Sequence, residues 1–158
     1  MKPHNQFRRH FLSILGLSGV ALGAKTAQAH HTDTHLDEQA KHHIVYQCNK
    51  ADNDYYGHIL FSAAEMLRKY GDDVEIVIAA FGPGIQLLGK NPTRKVDATH
   101  QKRVQSLAEY GISFHACGNT MKTLKWTKKD LVSVAKVVPI GVDVIMQLQE
   151  KGFSYIAI

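Results

Sequence analysis

From residue 43 onward the chain alternates two kinds of hydrophobic pattern. Short, nearly continuous apolar runs are separated by longer stretches in which apolar positions return every three to four residues. The runs are His43–Cys48, Val74–Ala80, Ile112–Ala116, Val134–Val138 and Phe153–Ile158, the signature of buried strands. Tyr56–Tyr70 carries Ile59, Leu60, Ala63, Ala64, Met66 and Leu67 as one stripe, which predicts a helix stopped by Gly71. Val96–Tyr110 repeats the pattern with Val104, Leu107 and Ala108, and Gly141–Lys151 with Val144, Ile145 and Leu148. Between them, Phe81-Gly-Pro-Gly84 reads as a turn before a short helical piece at Ile85–Leu88. Gly118–Trp126 reads as a loop with room for a helical turn. Thr127 and Asp130 have the spacing of a capping box opening a short helix.

Strands alternating with helices imply a parallel sheet covered on both faces. The predicted class is therefore α/β: a flavodoxin-like three-layer sandwich with five mostly parallel strands, in the order 2-1-3-4-5. That order places strands one and three side by side, with Cys48 and Cys117 ending them at the same edge. Three readings of the pair stay open: a disulfide, a relay in which Cys48 resolves a Cys117 persulfide, or two thiols too far apart to meet.

The first 29 residues follow a different pattern. Lys2, Arg8 and Arg9 precede a glycine-bearing apolar run, Phe11–Ala24, and Ala27-Gln28-Ala29 has the form of a cleavage site, as in an export signal. About 20 apolar residues are needed to span a bilayer, so this run is too short for an anchor. Arg8-Arg9-His10-Phe11-Leu12-Ser13 resembles a twin-arginine motif, with Phe7 where Ser or Thr is usual. The expected location is the bacterial periplasm. Without residues 1–29, basic residues fall from 19 to 15 against 14 acids, and the net charge from +5 to +1. The basic character thus belongs to the leader and gives no reason to expect a nucleic-acid partner. The organisation becomes 1–29 signal peptide, 30–41 polar His-rich arm and 42–158 folded domain, with no membrane span after cleavage.

Candidate chemistry concentrates in Gly111-Ile-Ser-Phe-His-Ala-Cys-Gly-Asn-Thr120. A cysteine that ends a strand stands where α/β sheets gather their sites. Gly118 lets the following amides turn toward the sulfur, which would stabilise a thiolate. His115 shares a face with Cys117 by strand alternation, permitting a Cys–His pairing, although it also suits a histidine that merely lines the sheet. Asn119 and Thr120 follow closely. Phe81-Gly-Pro-Gly84 lacks the spacing of a dinucleotide fingerprint, so no nucleotide or flavin is expected. Lys122, Lys125, Lys128 and Lys129, with Arg94, Lys95, Lys102 and Arg103, form two basic patches that either face solvent or draw anionic sulfur species. Trp126 is read as an oligomer contact. His30, His31 and His35, with a free amine at His30 after cleavage, offer weak copper or zinc binding, though their spacing fits no strong metal signature.

The stretches Glu75-Ile-Val-Ile-Ala-Ala-Phe-Gly-Pro-Gly-Ile-Gln-Leu-Leu88, Gly111–Thr120, Val138-Pro-Ile-Gly141 and Leu148-Gln-Glu-Lys-Gly-Phe-Ser-Tyr155 together resemble the DsrE/DsrF-like family of small sulfur-handling proteins. The resemblance implies a flavodoxin-like subunit assembled as a homotrimer or hexamer, without an organic cofactor. It also implies a strand-three cysteine, here Cys117, that receives sulfur as a persulfide and passes it to a partner thiol. Cys48 and the His-rich arm lie outside that pattern. The expectation is a periplasmic sulfur carrier or sulfurtransferase-like protein. The alternatives are a non-enzymatic oligomeric module, with Cys117 structural or bonded to Cys48, and a metal carrier using the histidine arm.

Overall fold

A computed structural model describes residues 40–158; the predicted signal peptide, the twin-arginine-like motif and nearly all of the His-rich arm lie outside the described residues. The described part holds strands β1 (His42–Cys48), β2 (Val74–Ala80), β3 (Ser113–Cys117), β4 (Ala135–Val138) and β5 (Ser154–Ile156). Its helices are α1 (Asn53–Tyr70), α2 (Ala98–Glu109), α3 (Gly118–Leu124) and α4 (Gly141–Glu150). A 3₁₀ segment spans Gly82–Leu88, and a second one, Lys128–Asp130, follows the expected capping box at Thr127. Helix α1 begins three residues before the predicted start at Tyr56. The Asp52 carboxylate accepts the Tyr55 N–H at 2.8 Å and caps the first turn, as short polar side chains do.

All four strand pairings are parallel, and helices cover both faces, as the alternating pattern predicts. The strand order is 4-3-2-1-5 rather than the expected 2-1-3-4-5. The reason lies in β2, whose Val-Glu-Ile-Val-Ile-Ala-Ala run is buried at every position but Glu75. A strand that apolar on both faces belongs in the middle of a parallel sheet, whereas 2-1-3-4-5 would leave it at an edge. The chain therefore steps from β1 to β4 in sequence, and α4 then carries it back across the sheet to β5, beside β1. That return runs the opposite way and on the opposite face, as a single crossover hand requires.

The two faces are unequal. Beneath α1 and α2 lies the main core, in which Ile44, Tyr46, Ile76, Ile78, Phe114 and Ala116 of the sheet meet Tyr56, Ile59, Leu60, Ala63, Val104 and Leu107. Each such large side chain, fully buried, contributes about 1.5–3 kcal/mol. The opposite face has a smaller core of Val45, Val77 and Ala79 under Ile145 of α4, with Phe153 at its margin. Trp126 packs at the edge of the main core, where its ring lies against Gly89.

Candidate functional site

The register decides the fate of the two cysteines. Cys48 pairs with Ala80, and Ala80 with Ala116. Cys117 is thus one residue past the row that holds Cys48, and it projects from the other face. With β2 between them, two strand spacings of about 4.8 Å each keep the thiols apart, beyond the roughly 7 Å Cα limit for a disulfide. Both are free and buried. The disulfide and relay readings of the pair both fall with the strand order on which they rested.

The environments of the two thiols differ in kind. Cys48 is sealed in the main core, where its Sγ donates to the Gly84 carbonyl at 3.6 Å. Burial pushes its pKa up to about 12, because a thiolate there would lose its hydration without compensation. Gly84 is obligatory at this point, since a Cβ would overlap the Cys48 carbonyl.

Cys117 closes β3 at the N-terminus of α3, and α4 begins beside it. Burial, the largest single influence, acts to raise its pKa. Four donors together outweigh it: the Thr120 hydroxyl and the backbone N–H groups of Thr120, Gly141 and Asn119. The net effect is a thiol held below its ordinary value. Sequence and geometry agree on how this arises. A Cβ at Gly118 would lie 3.1 Å from the Val138 carbonyl oxygen, so glycine lets α3 start this close to β4 without pushing that carbonyl aside. A Cβ at Gly141 would stand 2.9 Å from Phe81 Cβ and 3.1 Å from Cys117 Cβ. Glycine there lets the α4 N-terminus seat its amide against the sulfur. Thr120 is fixed in turn, because its hydroxyl accepts the Gly82 N–H at 2.9 Å. The Gly82 turn thus orients the donor that faces the thiol.

Of the other expected site residues, Asn119 contributes its backbone amide, which helps lower the Cys117 pKa and donates to the Pro139 carbonyl at 3.2 Å. Its side chain is exposed. His115 lies on the Cys117 face but is not hydrogen-bonded to it; its Nδ1 is buried with no partner among the described residues. Burial, assisted by the nearby Lys136 ammonium, pushes the imidazole pKa down, so the neutral ring is favoured. His30, His31 and His35 lie outside the described residues. No cluster of three or more His, Cys, Asp or Glu able to hold a metal occurs among the described residues.

Two contributors escaped the sequence reading. Gly141 sits nearly a quarter-hundred positions after Cys117, and only the fold brings them together. Gln86 is buried, with 2% of its surface exposed. Its carboxamide donates to Thr93 Oγ1 at 3.0 Å and accepts the Thr93 N–H at 2.8 Å. A glutamine inside an otherwise apolar Ile-Gln-Leu-Leu run was the available signal. It holds the Thr93–Arg94 loop beside a cleft of about 500 Å³ that Asn119 and Thr120 also line. Lys122, Lys125, Lys128 and Lys129 are exposed and do not line this cleft; Arg94 does.

A family model described as DsrE/DsrF-like matches residues 42–158. The chain belongs to the DsrE/DsrF-like family. Among solved structures it is similar to a protein of unknown function, MTH1491, from Methanobacterium thermoautotrophicum. The two are 22% identical with a TM-score of 0.67, over 74% of this chain and 99% of that one. It is also similar to the ychN protein of E. coli, at 11% identity and a TM-score of 0.58, over the same shares. These likenesses establish the fold. No curated protein matches the chain. No helix among the described residues is long and apolar enough to cross a membrane.

Proposed function

We propose that this DsrE-like subunit handles sulfane sulfur in the periplasm through a persulfide on Cys117. Family membership suggests a sulfur-relay-like role. The observation that carries the proposal is the placement of Cys117 at the N-terminus of α3 and against Gly141 at the start of α4, with Thr120 held beside it by Gly82. The donors gathered there stabilise a persulfide anion, whose charge lies one atom further out. In the forward step the Cys117 thiolate attacks the outer sulfur of a donor R–S–SH. The donor's S–S bond breaks, a new S–S bond forms on Cys117, and the thiol R–SH leaves with the proton. Net oxidation state is conserved, so no external oxidant or cofactor is required. Delivery repeats the step with a partner thiol as the attacker.

The thiol is only 5% exposed, which suits a species that must be shielded from an oxidising compartment. Ile140, Val142 and Met146 bracket the thiol-contacting Gly141 and are largely exposed, Val142 at 57% and Met146 at 52%. This apolar patch supports homo-oligomer formation, which would place a subunit boundary next to the sulfur. Export rests on residues 1–29 and is tested by replacing Arg8 and Arg9 with lysine, which should leave the protein in the cytoplasm.

Intact-mass spectrometry after treatment with inorganic polysulfide tests the chemistry. One added sulfur atom is expected on the wild type and on Cys48→Ser, and none on Cys117→Ser. Equal sulfur uptake by Cys117→Ser would overturn the proposal.

A further inference from the structure

The cleft lined by Asn119 and Thr120, two of the residues close to Cys117 in sequence, has a composition that specifies its occupant. One wall is Gly82, Pro83 and Gln86, another is Asn119, Thr120, Thr123 and Leu124, and the Thr93–Arg94 loop forms the rim. No acidic residue lines it, and Arg94 has no carboxylate partner among the described residues. Hydrogen-bond donors are in excess. The Arg94 guanidinium supplies five N–H groups and the exposed Asn119 side chain two more. Thr93 Oγ1 already accepts from Gln86, which leaves its own O–H to donate.

The loop that carries Arg94 is not left to chance. Its backbone N–H groups at Thr93 and Arg94 both donate to the buried Gln86 carbonyl oxygen, at 2.8 and 3.4 Å. A buried carboxamide is costly unless bonded, and here its bonds serve to fix the rim.

We infer that this cleft recognises a small organic anion, a carboxylate-bearing low-molecular-weight thiol or its persulfide, as the sulfur donor or acceptor of Cys117. The inference rests on the sulfur-handling reading for its link to Cys117, though the binding itself does not. The donor set pairs Arg94 with a carboxylate, the geometry in which Arg is strongest. Pro83 and Leu124 offer apolar wall that an inorganic ion cannot use. A volume of about 500 Å³ lies in the range of ligand sites and far exceeds what thiosulfate fills. Asn119 and Thr120 belong both to the cleft and to the donor set around the sulfur, so a ligand's sulfur end would lie against that shared wall.

The test is calorimetric titration of the full chain carrying Cys117→Ser, which cannot react at this position, with reduced glutathione and separately with thiosulfate. Glutathione should bind, and adding Arg94→Gln should weaken it about tenfold or more, as loss of a charged hydrogen bond implies. No glutathione binding, undiminished affinity in the Arg94→Gln protein, or tighter binding of thiosulfate would each overturn the inference. Polysulfide treatment of the wild type reads the other proposal separately. Sulfur uptake on Cys117 with no Arg94-dependent binding removes the cleft assignment alone. Arg94-dependent binding with no uptake removes the persulfide alone and leaves an organic-anion site.

Discussion

Replacing Gly141 with alanine tests whether the α4 N-terminus is built around the sulfur. The new methyl would stand 2.9 Å from Phe81 Cβ, 3.1 Å from Cys117 Cβ and 3.3 Å from Phe81 Cδ1. Two of these neighbours are Cβ atoms fixed to the backbone, so neither can swing away, and α4 must retreat. Overpacking of this kind costs about 1–3 kcal/mol. Alanine's better helix propensity returns at most about 1 kcal/mol, and less at a first helical position. With about 120 ordered residues, 1 kcal/mol corresponds to about 4 °C in Tm, so a fall of roughly 4–8 °C is expected. Retreat also draws the Gly141 N–H off the sulfur. A hydrogen bond to a charged acceptor is worth about 1.5–3 kcal/mol, and the remaining thiolate is a stronger nucleophile per molecule by about half that free energy. Alkylation of Cys117 by iodoacetamide below pH 7 should therefore slow by about three- to tenfold. Gly152→Ala is the matched control. Gly152 has φ +92 with open space at its Cβ position, so alanine is strained there by about 1–2 kcal/mol far from the thiol. Its Tm should fall similarly while Cys117 keeps its wild-type rate. A wild-type Tm and rate for Gly141→Ala, or equal slowing in Gly152→Ala, would refute the reasoning.

Two further outcomes follow from the geometry. The His115 imidazole has its folded pKa below 6.5, so between that value and 6.5 the unfolded chain binds a proton the folded one resists, and stability falls as pH drops through this window; urea denaturation at pH 7.5 and 5.5 should show a smaller loss for His115→Gln than for wild type, and equal losses would count against a buried, unpartnered ring. Asp52→Ala removes the α1 cap and should cost about 1 kcal/mol, or about 4 °C in Tm; an unchanged Tm would mean the cap is replaced by water.

Local order was readable because the residues that make it are neighbours in sequence. The strand β2 bounds, the Gly71 stop and the Thr127–Asp130 box all depend on contacts within a few positions. So did the nest at Cys117, to the extent that Gly118, Asn119 and Thr120 follow it directly. Strand order is not legible in the same way, since it depends on which strand is apolar on both faces, and all five runs carry the pattern of buried strands. The error propagated, because neighbouring strands one and three would have joined two thiols that β2 in fact separates. Gly141 and Gln86 were invisible for a related reason. Each acts on a distant segment, one through a missing methyl and the other through a buried amide.

The return crossover made by α4 has a kinetic meaning. Strand β5 pairs with β1, Ile44 against Ser154, and the Tyr155 hydroxyl reaches Gln47 Oε1 at 2.7 Å. The strand that covers this side of β1 thus follows it by about 110 positions in sequence. Closing a loop of that length costs entropy before any contact repays it, and such distant pairings slow folding. Until β5 docks, β1 keeps an open edge and the small core under Ile145 stays unbuilt. Gly141 of α4 reaches Cys117 with that closure, so the thiol acquires its full surroundings only late in folding.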